Sequence, residues 1–260
     1  MLAISESMTA TVEPALEPKH SRSRPGTLVA ASRRVSPATP GYHWDNERLR
    51  VKELEEQVHE LHSSVICAMN QMLDLKDLGT GVHSTRLAEW GMRVAQELGI
   101  EDSGLHDIEV AALLHDIGKV GIPDAILNKP ARLDEAEYAL MKKHPEYGWA
   151  ILRTIPGMER ASLYVLHHHE NVNGEGYPGS LASKDIPVGS RIVSVIDAFD
   201  AMVSSRPYRK GLPFEEAIRR LLQSSGTQFD SEVVQAFIPI AEAEMPSVFA
   251  ASGTSPATQL

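Results

Sequence analysis

The segment His115-Asp116-Ile117-Gly118-Lys119 limits what this chain can fold into more than any other. It follows directly on the apolar run Val110-Ala111-Ala112-Leu113-Leu114. An imidazole, a carboxylate and an ammonium beside such a run are costly to bury unless something compensates them. A transition-metal ion suits both imidazole and carboxylate, and a nearby lysine suits an anion drawn to the metal. The rest of the chain supplies more ligands of the same kind: His83 upstream, then His144, the triplet His167-His168-His169, and Asp197. The pattern points to metal-dependent hydrolysis of a phosphate ester.

Bulk properties narrow the alternatives. The 260 residues suffice for one sizeable domain with extensions. A formal net charge of -10 argues against a partner such as polymeric nucleic acid, which needs a basic face, but leaves room for a small anion held by metals and a few basic side chains. The single cysteine, Cys67, excludes an internal disulfide framework and a cysteine-rich zinc site, which suits a reducing cytoplasm. No apolar run approaches the ~18 residues of a membrane span. The N-terminus has no basic stretch followed by an apolar one, so no signal peptide is expected.

The expected class is all-α. Residues 1–44, rich in Ser, Thr, Pro and Ala, read as a disordered leader, and 246–260 as a disordered tail. Between them, 45–76 predicts one long amphipathic helix. Its residues Val51, Leu54, Val58, Leu61, Val65, Ala68, Met72 and Leu75 step by three and four, a seam of about four heptads. Such a seam either covers the chain's own domain or makes a homodimeric coiled coil through residues 51–75. A helical domain then occupies 77–245, with helices expected at about 103–117, 134–142, 145–154, 159–168, 187–204, 213–223 and 231–243. The β-branched run Arg191-Ile192-Val193-Ser194-Val195-Ile196 is read as buried helix because Ala198, Ala201 and Met202 follow it.

Seven residues form the candidate metal set: His83, His115, Asp116, His144, His168, His169 and Asp197. Neighbouring helical residues point about 100° apart, so the pairs His115-Asp116 and His168-His169 can each straddle two ions, and a carboxylate can bridge them. Ligands without thiolate suit two divalent iron or manganese ions, and zinc is also compatible. His167 is expected to support the ligands rather than join them, His59 and His62 to face solvent, and Cys67 to be a small buried apolar residue. Arg206-Pro207-Tyr208-Arg209-Lys210, just past Asp197, is expected to bind phosphate.

Eight stretches in unbroken order over about residues 77–240 resemble the HD-GYP domain, a branch of the HD metal-dependent phosphohydrolase superfamily. They are His83-Ser84-Thr85-Arg86-Leu87; His115 through Pro130; His144-Pro145-Glu146-Tyr147-Gly148; His168-His169-Glu170; Gly174-Glu175-Gly176-Tyr177-Pro178; Asp197 through Met202; Arg206 through Lys210; and Gly226-Thr227-Gln228-Phe229-Asp230. The resemblance implies an all-α HD-superfamily helical domain, preceded here by the long amphipathic helix, around a centre of two or three metals. It implies hydrolysis of cyclic di-GMP to pGpG and commonly on to GMP. It makes Asp116 the metal bridge, puts Lys119 on the scissile phosphate, and sets Asp200, Arg206 and Arg209 against the substrate. Tyr177 would border the cleft.

Two positions depart from the family pattern. Asn173 stands where the family commonly has Asp, which keeps size and an acceptor but loses charge. Gly79 stands where three-metal members carry a glutamate, so two metals are expected rather than three; Asp77 is the nearest carboxylate. Competing readings are a non-catalytic protein that senses cyclic di-GMP or docks a diguanylate cyclase, and a phosphohydrolase of another cyclic nucleotide such as cyclic GMP-AMP. Seven retained ligands favour catalysis.

Overall fold

Helices form where apolar residues recur every three or four positions, and local chemistry ends them. A computed structural model describes residues 41–76, 81–205 and 210–251. It contains α1 (Gly41–Lys76), α2 (Gly81–Glu97), α3 (Asp102–Leu114), α4 (Asp124–Leu127), α5 (Glu135–Met141), α6 (His144–Leu152), α7 (Glu159–Leu166), α8 (Val188–Val203), α9 (Phe214–Ser224) and α10 (Ser231–Ala251). Short 3-10 turns cover Ile117–Gly121 and Ser183–Asp185. No strand occurs among the described residues, only isolated bridges between Asn173 and Ala182 and between Ser225 and Phe229. None of their helices is long and apolar enough to cross a membrane.

Local signals explain several ends. After α2, Gly99 takes a left-handed φ of 73°, while Ile100 N–H returns to Ala95 O at 2.9 Å, a glycine-based stop. Asp134 begins α5 with a capping box: its carboxylate accepts from Glu137 N at 2.9 Å, and Glu137 accepts from Asp134 N at 2.8 Å. Pro187 and Pro213 stand immediately before α8 and α9.

The chain divides into two units, Met1–Arg50 and Val51–Leu260. Of the first, only 41–50 are described, and they are helical. In the second, α2, α3, α7 and α8 pack together with α9 and α10. Trp90, Phe199 and Phe237 form the aromatic centre of the core, with edge-to-face ring separations of 5.1–5.7 Å. The β-branched run at 191–196 is helical: Ile192, Val193, Val195 and Ile196 are all buried on α8, so packing overrides their strand preference.

Two boundaries differ from expectation. Helix α1 starts at Gly41, and α10 passes Pro246 to reach Ala251. A proline inside a helix keeps a helical φ and removes one N–H donor, and helix-forming Ala and Glu precede it here. Cys67, expected to be buried, is exposed. On α1 the inward stripe is Ile66, Met69 and Leu73, so Cys67 falls outside it and accepts from Gln71 Nε2 at 3.6 Å. The heptad seam is likewise not used by its own domain: Leu54 is 51 % and Leu61 62 % exposed. The expected leader up to residue 40, Asp77, Gly79, Arg206, Arg209 and the tail from 252 lie outside the described residues.

Candidate metal centre

The seven expected ligands meet in one place. His83, on α2, and Asp197, on α8, join His115, which follows α3; these three form one group. His144, the first residue of α6, joins His168 and His169, which follow α7, in a second group. Within each group the ligand atoms lie within 4.8 Å of one another. Asp116 stands between the groups: Oδ2 is 3.4 Å from His115 Nε2, and Oδ1 is 3.3 Å from His144 Nε2. Close backbone contact makes this possible. A side chain at Gly118 would strike His144 O, so only glycine lets the Asp116 turn lie against the start of α6.

Helix ends aim the rings. Carbonyls in the last turn of a helix have no intrahelical partner. His115 Nδ1–H donates to Ala112 O at 2.9 Å, His144 Nδ1–H to Met141 O at 2.9 Å and His168 Nδ1–H to Val165 O at 2.6 Å. These acceptors come from the ends of α3, α5 and α7. A carbonyl cannot donate, so Nδ1 carries the proton and Nε2 is left as a lone-pair donor facing the site. His83 Nδ1 likewise donates, here to the Asp200 carboxylate.

The donor set fits metal ions. His115 Nε2 is fully buried with no hydrogen-bond partner, a state that a metal bond would relieve. Two ligands about 2.1 Å from one ion lie about 3.0–3.4 Å apart in octahedral or tetrahedral arrangements. His83 Nε2 and His115 Nε2 lie 3.5 and 3.7 Å from Asp197 Oδ1, and His144 Nε2 lies 3.4 Å from His168 Nε2.

Electrostatics divide the groups. Burial and then neighbouring His144 push His169 down to about 4. Burial and the surrounding histidines hold His168 well below its ordinary value, and burial lowers His144. This group is therefore neutral and ready to ligate. In the other group burial opposes the charge on His83, but hydrogen bonds to Asp197 and Asp200 outweigh it and raise the ring to about 9. Burial likewise opposes ionisation of Asp116, yet Lys119 and then His115 keep it well below the usual carboxylate range. Lys119 Nζ lies 2.6 Å from Asp116 Oδ2.

Other expected residues fall as follows. Tyr177 borders the centre: its ring stacks on His169 with centroids 4.9 Å apart, and its N–H donates to His169 O at 3.1 Å. His167 lies outside both groups, with Nδ1 3.3 Å from Glu170 Oε1. His59 is exposed and 6.2 Å from His106 in ring separation, whereas His62 is half-buried near Gly157. Asp200 differs from the place expected of a substrate contact. It is 1 % exposed, and His83, Arg86 and Ser204 Oγ occupy its carboxylate, so it acts on the site through His83. Asn173 is exposed and makes a local turn, accepting from Glu175 N at 3.0 Å and donating to Glu175 Oε2 at 2.8 Å.

Two supports escaped sequence reasoning. Buried Glu170 accepts from Gly179 N at 2.6 Å and Leu181 N at 3.1 Å, fastening the loop that carries Tyr177. Arg86 Nε donates to Asp200 Oδ1 at 2.7 Å. Both residues stand inside recognised motifs, but nothing in their spacing announces which carboxylate or amide they meet.

A family model described as an HD domain matches residues 68–233, and the chain belongs to the HD-domain family, in its HD-GYP branch. A cyclic di-GMP phosphodiesterase of Thermotoga maritima is 40% identical over 187 residues, covering 71% of this chain and 50% of that protein. A 3'3'-cGAMP-specific phosphodiesterase 2 of Vibrio cholerae is 36% identical over 197 residues, covering 75% of this chain and 37% of its own length. The chain thus spans half or less of these relatives. The crystal structure of a cyclic GMP-AMP-specific phosphodiesterase of V. cholerae shares the fold, with a TM-score of 0.56 at 20% identity, covering 74% of this chain and 51% of that one.

Proposed function

We propose that this chain is a metal-dependent phosphodiesterase that hydrolyses cyclic di-GMP to pGpG, GMP or both, and so lowers a bacterial second messenger in the cytoplasm. The observation that carries the reading is the pair of three-residue ligand groups with Asp116 between them and Lys119 beside it. One divalent ion per group, iron or manganese by ligand type, would supply an acidified water as nucleophile and a positive field for the phosphoryl oxygens.

The chain's own residues do the rest. Asp116 offers one oxygen towards each group. Lys119 offsets the Asp116 charge and stands beside the centre, where its ammonium stabilises charge building on the phosphorus oxygens. Asp200 fixes the His83 ring, and Arg86 fixes Asp200. Tyr177 covers one face of His169 and forms a wall of the cleft. In the reaction water oxygen bonds to phosphorus, the bond from phosphorus to the 3′ oxygen breaks, and that oxygen leaves with a proton.

Cyclic GMP-AMP is the second reading, favoured by the specificity of the V. cholerae relative and by its identity to this chain. The exposed seam on α1 suits a parallel homodimer, since Val51, Leu54, Val58 and Leu61 are all left open on one helix. The loop of Gly174 through Pro178 is a candidate surface for a diguanylate cyclase.

Protein loaded anaerobically with Fe(II) or Mn(II) is to be assayed against both dinucleotides, before and after chelation. Cleavage of cyclic di-GMP that is lost on chelation supports the proposal. Binding without cleavage by fully loaded protein refutes it, and cleavage of cyclic GMP-AMP alone moves the assignment to the second reading.

A further inference from the structure

Lys142 follows the last residue of α5 and stands two residues before His144. Its half-buried side chain places Nζ 5.2 Å from the Tyr138 ring centroid and 6.0 Å from that of Tyr177. Tyr177 in turn stacks on His169. A continuous path of side chains therefore runs outward from the metal-ligating group: His169, Tyr177, Lys142, Tyr138. Lys129 is paired with Glu137 at 2.5 Å and Lys119 with Asp116 at 2.6 Å, while the adjacent Lys143 is exposed. Among the described residues no carboxylate lies within ion-pair distance of Lys142.

We propose that Lys142, framed by Tyr138 and Tyr177, holds the phosphodiester that is not being cleaved, and that the Tyr138 ring offers a stacking face to a base. This rests on the cyclic dinucleotide reading above. Such a substrate carries two phosphodiesters. When one is at the metal centre, the other is displaced along the cleft and needs its own cation, in a chain whose net charge is -10. The two rings restrict the ammonium without neutralising it, so less freedom is lost when an anion arrives. Tyr138 is 50 % exposed, which leaves aromatic surface for a flat purine.

The test compares Lys142→Gln and Lys142→Arg with the unmodified, metal-loaded protein. Two substrates are used: cyclic di-GMP, and bis(p-nitrophenyl) phosphate, which has one phosphodiester and no purine. Metal content is measured alongside. In Lys142→Gln the ratio of kcat/KM on cyclic di-GMP to that on the small diester should fall about tenfold, as expected for losing one charge-assisted contact. Most of the fall should appear in KM, with metal content retained, and Lys142→Arg should recover most of it. Tyr138→Leu should lower the same ratio by a smaller factor. An unchanged ratio in Lys142→Gln, with cyclic di-GMP cleaved normally, overturns this inference alone. A ratio that falls only because metal is lost also overturns it. If the unmodified protein cleaves the small diester and no cyclic dinucleotide, the underlying substrate reading fails, and this inference with it.

Discussion

Replacing Gly118 by alanine would put a methyl carbon 1.8 Å from His144 O and 2.5 Å from Gly148 N. Real Cβ atoms keep at least 3.0 Å from such neighbours, so the first contact alone is about 1.2 Å too short. Both struck atoms are backbone, on α6, and no rotamer change relieves them. Either the Asp116 turn or the start of α6 must move. Overpacking costs about 1–3 kcal/mol in general, and a clash with backbone belongs at the upper end. At about 2–4 °C per kcal/mol for a domain of this size, a cost of about 3 kcal/mol lowers Tm by about 6–12 °C. The same movement separates Asp116 from His144, so one ion's worth of binding should be lost and the rate should fall by about 100-fold or more. Gly99→Ala is the comparison. Its φ of 73° disfavours alanine, at a cost of about 1–2 kcal/mol, but nothing lies within 4 Å of the added carbon. It should lower Tm modestly and leave the metal content alone. Differential scanning calorimetry and elemental analysis check both. A Gly118→Ala protein that melts within about 2 °C of the parent and holds the same metal would refute the close-contact argument.

Other outcomes follow from the same geometry. Asp116→Ala should lose turnover and at least one bound ion, because it removes oxygens directed at both ligand groups; undiminished metal by elemental analysis would show that Asp116 is not the bridge. Lys119→Ala should keep its metal and lose rate, and a variant that turns over normally would remove Lys119 from the chemistry. The double substitution Leu54→Glu with Leu61→Glu should dissociate the seam dimer by burying like charges; light scattering that finds the unmodified chain monomeric would rule that dimer out.

How far the sequence could be read depends on whether the deciding interaction is local. The helix expected at about 134–142 matches α5, whose start is set by the Asp134/Glu137 capping box acting within one turn. The helix at 188–203 was legible against its own strand propensity because the apolar residues continue past the β-branched run. All seven candidate ligands could be named, since histidine pairs and carboxylates at these spacings carry their own chemistry, and the structure brings them together. Their partition into two groups could not, because it depends on which helix ends face one another. Nor could the reason the rings point inward: three terminal carbonyls from three different helices take the Nδ1 protons. Asp200 was placed against substrate by resemblance, yet long-range contacts with Arg86 and His83 draw its carboxylate inward. Cys67 was misplaced because its helix carries two apolar stripes. The buried one runs through Ile66 and Leu73 rather than through the heptad seam.

The proposed centre holds two metals joined by Asp116. Anomalous diffraction from crystals of anaerobically metal-loaded protein tests it most directly, with data on both sides of the metal's absorption edge. Two well-occupied ions are expected, one on His83, His115 and Asp197 and one on His144, His168 and His169, with the Asp116 carboxylate between them. Gly79 offers no side chain for a third. Three fully occupied sites, or a single ion with Asp116 outside its coordination, would contradict the account.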